Sequence, residues 1–318
     1  MGSVWIVDRT HGQLGNRCIL LSSAYAWCLE CGHDLYYPSF TRYADLFPRL
    51  AHQWIPSPTD PSPTRASAAT RARFQHAFTL AFRGGSRLGL IRGRYRPRLG
   101  GKSGDLPPTD PLVEDGRKRY VLFSWRFTNP LGLAKYHAQI RAMLTPQPEV
   151  VAGTEDFIAA LPQSRMRIGV HVRHRDYRGF ANGAFYQPVE SYARTMHAAA
   201  QRFADRRPVF VVCSDERRSE SEFPGLDVVI SRGNLIEDMA RLSRMHLVIG
   251  PVSTFNAFAA YLGGIPAWHT GERAAAHGFE WNYRGLPVVY SLEDAAKAVA
   301  EGAGTSALIA IQSAPTRV

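Results

Sequence analysis

The second half of the chain alternates short apolar runs with longer amphipathic segments. Residues 166–173 are first alternating and then fully apolar, which fits a strand buried in a parallel sheet. The same pattern predicts strands at Val209–Cys213, Asp227–Ile230 and Leu247–Gly250, and helices at 188–203, 234–244, 254–263 and after Ser291. Strands that alternate with helices are typical of a parallel sheet covered by helices on both faces. We therefore predict an α/β domain that ends with a helix.

The first half begins with a similar unit and then loses its periodicity. The elements expected in order are a strand at 1–8, a turn containing Gly12 and Gly15, a helix from Cys18 to Leu29 ending at Gly32, a strand at Asp34–Tyr37, an irregular stretch at 39–64, a helix at 65–82, a strand at Tyr120–Trp125, and helices at 131–144 and 153–161. Prolines between the last two helices indicate a domain crossing. We expect a first domain at 1–150 and a second at 151–318.

The chain is strongly basic. It has 318 residues and a formal net charge of +11, and most of its 38 basic residues are arginines, the side chain suited to bidentate phosphate or carboxylate recognition. Several of them lie between Arg83 and Arg98, where there is no acidic residue. This run is either a solvated loop or a contact with an anionic membrane surface or acceptor. The charge also leaves nucleic-acid binding as an alternative, although the sequence contains no recognised binding module.

The sequence contains no signal for export or for crossing a membrane. No apolar stretch reaches the roughly 18 residues that a membrane span needs, and residues 1–8 lack the basic start and long apolar run of a secretion signal. The four cysteines form neither a disulfide framework nor a zinc-binding pattern. We therefore expect a cytoplasmic protein, with peripheral contact at the inner membrane surface as an open alternative.

Polar residues follow three of the predicted strands. Arg173 comes after the first, Ser214 and Asp215 after the second, and Ser253 and Thr254 after the third. Parallel strands bring their carboxyl ends to one edge of a sheet, so we expect these residues to lie together. A guanidinium and a helix amino terminus bind anions, and a carboxylate accepts hydrogen bonds from guanine or ribose. Singly, each residue could equally be a helix cap or a surface charge; together they predict a site for a nucleoside diphosphate.

Two histidines near Arg173 raise the alternative of a metal site. His171 and His174, with Asp176, have side chains that bind metal ions, but residues three apart on an extended strand face opposite sides. His171 is therefore expected to support its neighbours by hydrogen bonding, and no metal ligand is assigned.

Four motifs occur in one order along the chain. Gly12 to Asn16 is similar to G-G-L-G-N, His171 to Tyr177 to H-x-R-R-x-D-Y, Ser214 with Asp215 to F-S-D, and Ser253 to Leu262 to S-x-S-T-F-x-x-W-A-A-Y-L. As a set they resemble the motifs of the α-1,2-fucosyltransferases, a family related to the α-1,6- and protein O-fucosyltransferases. The resemblance implies a GT-B fold, with two Rossmann-like domains facing a cleft, the first on the acceptor side and the second binding the GDP-sugar. It also implies inverting, metal-independent transfer from a GDP-sugar such as GDP-fucose, with no further cofactor, to a glycan or glycolipid acceptor.

The resemblance implies a role for each matched residue. Arg173 would bind the diphosphate and stabilise the departing GDP, His171 would lie beside the nucleotide, Asp215 near the guanosine, Ser253 and Thr254 at the phosphates, and Gly15 with Asn16 across the cleft. The family pattern leaves the catalytic base open, and His11, Asp45 and Asp176 are the candidates.

The chain departs from the family pattern beside Arg173. His174 replaces the second arginine of the motif and Arg175 replaces the usual glycine, which leaves the donor sugar open between fucose and a related hexose. We therefore predict a glycosyltransferase of the fucosyltransferase type. The alternatives are a GT-B-like protein that binds a glycan or a partner without catalysis, and a nucleic-acid-binding protein.

Overall fold

A computed structural model describes residues 3–6, 12–37, 40–51, 77, 81, 119–122, 127–271, 283 and 285–302. The chain divides into two compact units, Met1–Gln147 and Pro148–Val318. The boundary predicted at residue 150 would cut the helix Pro148–Ala159 near its start, whereas the division between the units leaves that helix whole.

The described part of the first unit contains a small parallel sheet and several helices. Its strands are β1 (Ser3–Ile6), β2 (Asp34–Tyr36) and β3 (Arg119–Leu122), in the order β2-β1-β3. Its helices are Leu14–Cys31, Thr41–Ala44, Pro48–Ala51, Pro130–Lys135 and His137–Met143. The long helix ends at Gly32, whose left-handed φ of 64° suits a residue without a side chain.

The second unit is built on one larger parallel sheet. Its strands are β4 (Arg167–Val172), β5 (Val209–Ser214), β6 (Val228–Ile230), β7 (Leu247–Pro251), β8 (Ala267–Thr270) and β9 (Val288–Val289). Its α-helices in the described ranges are Pro148–Ala159, Val189–Arg202, Leu235–Leu242, Thr254–Gly263 and Leu292–Ala300. Short 3-10 turns occur at Asp176–Arg178, Phe180–Gly183, Ala204–Arg206 and Glu220–Glu222.

The order of the strands determines where a ligand can bind. The strands lie in the order β6-β5-β4-β7-β8-β9 and every described pairing is parallel. From β4 the chain first adds strands on one side and then crosses to the other side at β7. A doubly wound sheet binds its ligand at this change of direction, beyond the carboxyl ends of the strands. The crevice between β4 and β7 is therefore the expected place for a site.

Helices cover the larger sheet on both faces. On one face Val170 and Ile249 pack with Tyr192 of the helix Val189–Arg202 and with Ala295 of the last helix. Neighbouring strand residues point to the opposite face. There a side chain on Gly169 would collide with Leu242, so the glycine lets the helix Leu235–Leu242 approach the strand.

The structure confirms most strand predictions in the second unit and corrects several helices. The predicted helix 131–144 is two helices that meet at Tyr136, and the one expected at 153–161 starts at Pro148, a residue favoured in a first helical turn. Two short helices occupy part of the stretch expected to be irregular. β8 and β9 were not predicted, because runs of four and two residues carry too little periodicity. Apart from Ala77 and Ala81, which are helical, the segment 65–82 and the run 83–98 lie outside the described residues.

Within the described ranges, none of the helices combines the length and the apolar character needed to cross a membrane.

Candidate functional site

Three strand ends bring the predicted residues to one edge of the larger sheet. β4 ends at Val172 and β5 at Ser214, and these two residues are paired in register. β7 ends at Pro251 on the other side of β4. Arg173, Asp215 and Ser253 each follow one of these strands directly or by two residues. Their convergence, predicted from parallel topology, is what the structure shows.

Arg173 is held between the loop after β4 and the start of a helix. Its Nε and Nη2 donate to the two carboxylate oxygens of Asp176 at 2.9 and 2.6 Å, and its Nη1 donates to the Ser253 hydroxyl at 3.2 Å. The guanidinium carbon lies 4.5 Å from the centre of the Tyr177 ring. These contacts leave an N–H group on each terminal nitrogen for a ligand.

The Arg173–Asp176 pair stays ionised over a wide pH range. Burial has the largest single effect and opposes the charge of Arg173, but the hydrogen bonds to Asp176 and the charges of Tyr177, Asp176 and Asp215 together outweigh it, so the pKa of Arg173 is raised. The hydrogen bond from Arg173 lowers the pKa of Asp176, against a smaller effect of burial. The Arg173 side chain is only 13% exposed, so the pair is partly shielded from solvent.

Ser253 begins the helix Thr254–Gly263 as its N-cap. Its hydroxyl accepts from the Phe255 amide at 3.3 Å while it also accepts from Arg173. Amide groups in the first turn of a helix have no acceptor within the helix and favour negative charge. Thr254 is the first residue of this helix and is partly exposed, so both predicted residues lie where an anion would be stabilised.

Asp215 has a different contact from the one expected near a guanosine. Its two carboxylate oxygens accept from the backbone amides of His174 and Arg175, at 2.9 and 3.2 Å. The carboxylate at the end of β5 thus ties down the loop that carries Arg173. In the structure Asp215 supports the loop, and a contact with guanosine remains a prediction.

His174 is buried and does not replace the missing arginine as a surface cation. Its Nε2 lies 2.8 Å from the Gln187 carbonyl, which can only accept, and its Nδ1 lies 2.9 Å from an Arg218 nitrogen, which can only donate. The carbonyl partner places a hydrogen on Nε2, and Nδ1 also lies 3.5 Å from a carboxylate oxygen of Glu216. Arg218 is in turn paired with Glu216 at 2.7 Å. Hydrogen bonds from Arg178 are the main reason why the pKa of Glu216 falls to about 2.

His171 lies in β4 under the site. The ring is buried, its centre is 4.9 Å from that of Phe255, and its Nδ1 has no hydrogen-bond partner in the described part of the chain. Burial, with smaller effects from Arg173 and His269, lowers the pKa of His171 to about 3, so the ring is neutral near pH 7. The expected hydrogen bonds to neighbouring side chains are therefore not seen at this nitrogen.

The metal alternative has no support in the arrangement of side chains. Both ring nitrogens of His174 are occupied, and Asp176 is bound to Arg173. Among the residues for which the structure gives positions, no group of three His, Cys, Asp or Glu side chains could hold a metal ion.

Gly15 and Asn16 lie in the first unit, in the first turn of the helix Leu14–Cys31. This helix starts four residues before the predicted start, because the turn is made at Gly12, with a φ of 78°, and ends at the N-cap Gln13. A side chain on Gly12 would collide with Asn16. The amides of Gly15 and Asn16 are therefore first-turn amides without acceptors in the helix.

The candidate bases differ in their surroundings. His11 lies outside the described residues. Asp45, in the first unit, follows the helix Thr41–Ala44, and its carbonyl accepts from the Gln147 side chain at 2.8 Å. The lowered pKa of Asp176 makes it a weak proton acceptor.

Sequence reasoning missed a buried carboxylate further along the same edge. Asp238, on the helix Leu235–Leu242, accepts from the Ser231 hydroxyl at 2.5 Å, and Arg241 donates to that hydroxyl at 2.7 Å. Arg241 itself is 3.9 Å from Asp238. Burial raises the pKa of Asp238 to about 6 despite the hydrogen bond from Ser231. The only signal in the sequence was an acid three residues before an arginine, a spacing common on exposed helix surfaces.

The fold is shared with solved fucosyltransferases. NodZ, an α-1,6-fucosyltransferase soaked with GDP-fucose, is 17% identical to this chain. The match covers 87% of this chain and 98% of NodZ, with a TM-score of 0.50. A FUT1 variant from Arabidopsis thaliana in complex with GDP is 14% identical, with 85% and 71% covered and a TM-score of 0.51. No family model and no curated protein matches the chain. The predicted fold class is thereby confirmed: this chain has the mixed α/β fold with parallel sheets of the GT-B fucosyltransferases.

Proposed function

We propose that the protein is an inverting, metal-independent glycosyltransferase that moves fucose, or a related hexose, from a GDP-sugar to a hydroxyl of a glycan or glycolipid. The observation that carries the proposal is the contact between Arg173 Nη1 and Ser253 Oγ, 3.2 Å apart, where the strand order changes direction. A cation and the amino terminus of a helix meet there, and together they suit the diphosphate of a nucleotide sugar.

The charge of Arg173 suits the chemistry of the transfer. When the bond between the anomeric carbon and the diphosphate oxygen breaks, the electron pair leaves with GDP and negative charge grows on the diphosphate. The acceptor oxygen forms the new bond on the opposite face of the sugar and gives up its proton to a base. Arg173 and the helix amino terminus would stabilise the leaving charge without moving, because both are already in place.

The roles of the remaining residues follow from their positions. Thr254 would add a first-turn amide at the phosphates, and His171, neutral and buried, would lie under the nucleotide. A role for Gly15 and Asn16 in donor binding rests on the motif resemblance alone. Asp176 is the ion-pair partner of Arg173, and its lowered pKa disfavours a role as base.

The choice of GDP and of the transferred sugar rests on two kinds of support. The motif resemblance points to fucosyltransferases, and the two solved structures with the same fold carry GDP-fucose or GDP. An α-1,2 linkage and a cytoplasmic location, with or without contact to an anionic membrane, are further parts of the proposal.

Donor binding and donor hydrolysis test this function. We expect GDP and GDP-fucose to raise the thermal unfolding midpoint of the wild type. At a hundredfold excess over the dissociation constant, the ligand adds about 2.7 kcal/mol to the free energy of unfolding. Arg173→Ala should weaken GDP binding by about tenfold to a hundredfold, the loss of a charge-assisted hydrogen bond, and remove most turnover. Activity should persist in EDTA. Unchanged GDP affinity in Arg173→Ala would overturn the proposal.

The two alternatives predict different results in the same assays. A non-catalytic GT-B-like protein would bind a glycan or partner but would neither hydrolyse GDP-fucose nor transfer its sugar. A nucleic-acid-binding protein would ignore GDP and would lose affinity for a random DNA duplex steeply as salt is added.

A further inference from the structure

One aromatic side chain next to Arg173 is exposed without an evident structural reason. Phe180 is 52% exposed, and every other Phe, Tyr or Trp side chain that the structure describes is buried or only partly exposed. It lies in the loop that follows β4, four residues after Asp176. An exposed phenylalanine forgoes the gain from burying its ring, so the position calls for an explanation outside the packing of the chain.

Phe180 is the outer member of an aromatic group that we call the aromatic shelf, made of Tyr177, Phe180 and Phe185. The rings of Phe180 and Tyr177 are 6.0 Å apart and nearly parallel, at 20°, and the Phe185 ring is 5.4 Å from that of Phe180. Tyr177 and Phe185 are buried, so they form a fixed base under the exposed ring.

The shelf is connected to the proposed donor site. The Tyr177 ring that contacts Phe180 also lies 4.5 Å from the Arg173 guanidinium carbon. The Tyr177 hydroxyl donates to the Val252 carbonyl at 2.7 Å, which anchors the shelf to the segment between β7 and the next helix. Phe180 is thus one ring away from the cation that would hold the leaving group.

The backbone beside Phe180 adopts an unfavourable conformation. Ala181 and Asn182 both have left-handed φ values, 49° and 56°, although neither is a glycine. Left-handed backbone costs free energy for residues with a side chain, and such strain tends to persist at sites that bind ligands. Here the strained residues follow directly after Phe180 in the chain.

The surroundings of the shelf favour a sugar ring over a purely apolar partner. A pyranose has an apolar face of C–H groups and a rim of hydroxyls, so it needs a flat apolar surface bordered by polar groups. Arg175 is exposed and its guanidinium has no hydrogen bond or ion pair to any described residue. The Asp176 side chain is 43% exposed and the Arg178 side chain 53%. Both donors and acceptors thus lie in the same loop as the exposed ring, within five residues of it along the chain.

We propose that the aromatic shelf is the acceptor subsite, with the Phe180 ring stacking on the C–H face of a pyranose of the acceptor glycan. The inference rests on the proposed function, because the sugar on the shelf is taken to belong to the acceptor of that reaction and not to the donor. It places the acceptor on the loop that also carries Arg173, so that acceptor and donor would bind close to one another.

Saturation-transfer NMR on the full chain with GDP tests the subsite without knowledge of the natural acceptor. The probes are the methyl β-pyranosides of galactose, glucose and N-acetylglucosamine. We expect at least one to receive saturation mainly on the C–H protons of one face. Phe180→Ala should reduce this signal by about fivefold, as for the loss of one aromatic contact, and Phe180→Trp should retain it. Leu131→Ala, which removes a 63% exposed apolar side chain from the first unit, is the matched control.

The outcomes separate this inference from the proposed function. A wild type that binds GDP but gives no saturation on any of the three pyranosides overturns the acceptor subsite alone. So does a Phe180→Ala variant that keeps its thermal midpoint and gives the same signal as Leu131→Ala. A wild type that fails to bind GDP overturns the proposed function, and the same pyranoside measurement without GDP then decides whether the shelf binds sugars.

Discussion

Two guanidinium–carboxylate pairs lie at one edge of the larger sheet, and the pKa values of their carboxylates are shifted in opposite directions. Asp176 accepts two hydrogen bonds from Arg173, at 2.9 and 2.6 Å, and its pKa is lowered. Asp238 is 3.9 Å from Arg241 and is linked to it through the Ser231 hydroxyl, and burial raises its pKa to about 6. Direct contact with a cation compensates a carboxylate for lost solvent, whereas a bridging hydroxyl does not.

The two ion pairs are suited to different uses. Arg173 keeps its charge and has N–H groups left for a ligand, so its pair is prepared for an anion. The pKa of Asp238, about 6, is close to neutral pH. A ligand that donates hydrogen bonds to Asp238 would bind better to its ionised form. Both states can be tested by changing one atom or one side chain.

Asp238→Asn should produce the largest change in stability. The raised pKa means that the folded protein holds a proton that the unfolded chain, with a pKa of about 3.9, releases more readily. Wild-type stability therefore falls as pH rises from about 4 through about 6 and is level above that. The amide removes this loss, so near pH 8 the variant should be more stable by on the order of 2 kcal/mol and near pH 4 about equal. Urea unfolding at the two pH values measures this.

A control for this prediction is Asp205→Asn, which changes an exposed carboxylate in the same unit. It should change the unfolding free energy by less than about 0.5 kcal/mol at either pH. The prediction is contradicted if the stability of the wild type rises between pH 4 and 6 and Asp238→Asn removes that rise. Burial would then not disfavour the ionised carboxylate of Asp238.

Ser231→Ala should have an intermediate effect and move the titration of Asp238. The hydroxyl donates to Asp238 and accepts from Arg241, so its removal leaves both groups short of a partner. We expect a loss of about 1 kcal/mol near pH 8. Because the hydrogen bond from Ser231 lowers the pKa of Asp238, its loss should shift the midpoint of the pH dependence above 6. A midpoint that does not move would show that Ser231 is not the bridge.

Asp176→Asn should have the smallest effect on stability. Its side chain is 43% exposed, and exposed ion pairs contribute about 0.2–1 kcal/mol, so we expect a loss of roughly 0.5 kcal/mol in the unfolding free energy. GDP should bind at least as tightly as to the wild type, because Arg173 loses a competing anion. Calorimetric titration with GDP measures the affinity. Weaker binding would mean that Asp176 helps GDP binding, by orienting Arg173, more than its negative charge opposes it.

Most of the second unit could be predicted from its sequence. β4, β5 and β7 are apolar runs followed by polar residues, and the alternation of strands and helices is enough to predict that Arg173, Asp215 and Ser253 lie at one edge of the sheet. The short strands β8 and β9 were beyond this reasoning, since their few residues gain strand conformation from neighbours already in the sheet.

The partners of the site residues could not be predicted in the same way. Asp215, which is predicted to lie near a ligand, also binds two loop amides, and His174, which replaces the second arginine of the motif, is buried against Arg218. Each of these contacts joins residues about 40 positions apart. Such pairs depend on which strand lies next to which, and on how far each loop reaches past its strand.

The amino-acid sequence alone determined the alternation of strands and helices in the second unit, the anion-binding residue types after the strands, and the motifs that resemble fucosyltransferases. These features are local, because periodicity, capping and turn preferences act over a few residues. The tertiary structure decided that Arg173 contacts Ser253, that Asp238 is buried with a raised pKa, and that Phe180 is exposed beside Tyr177. Burial and long-range contact are properties of the packed chain, and no short stretch of sequence contains them.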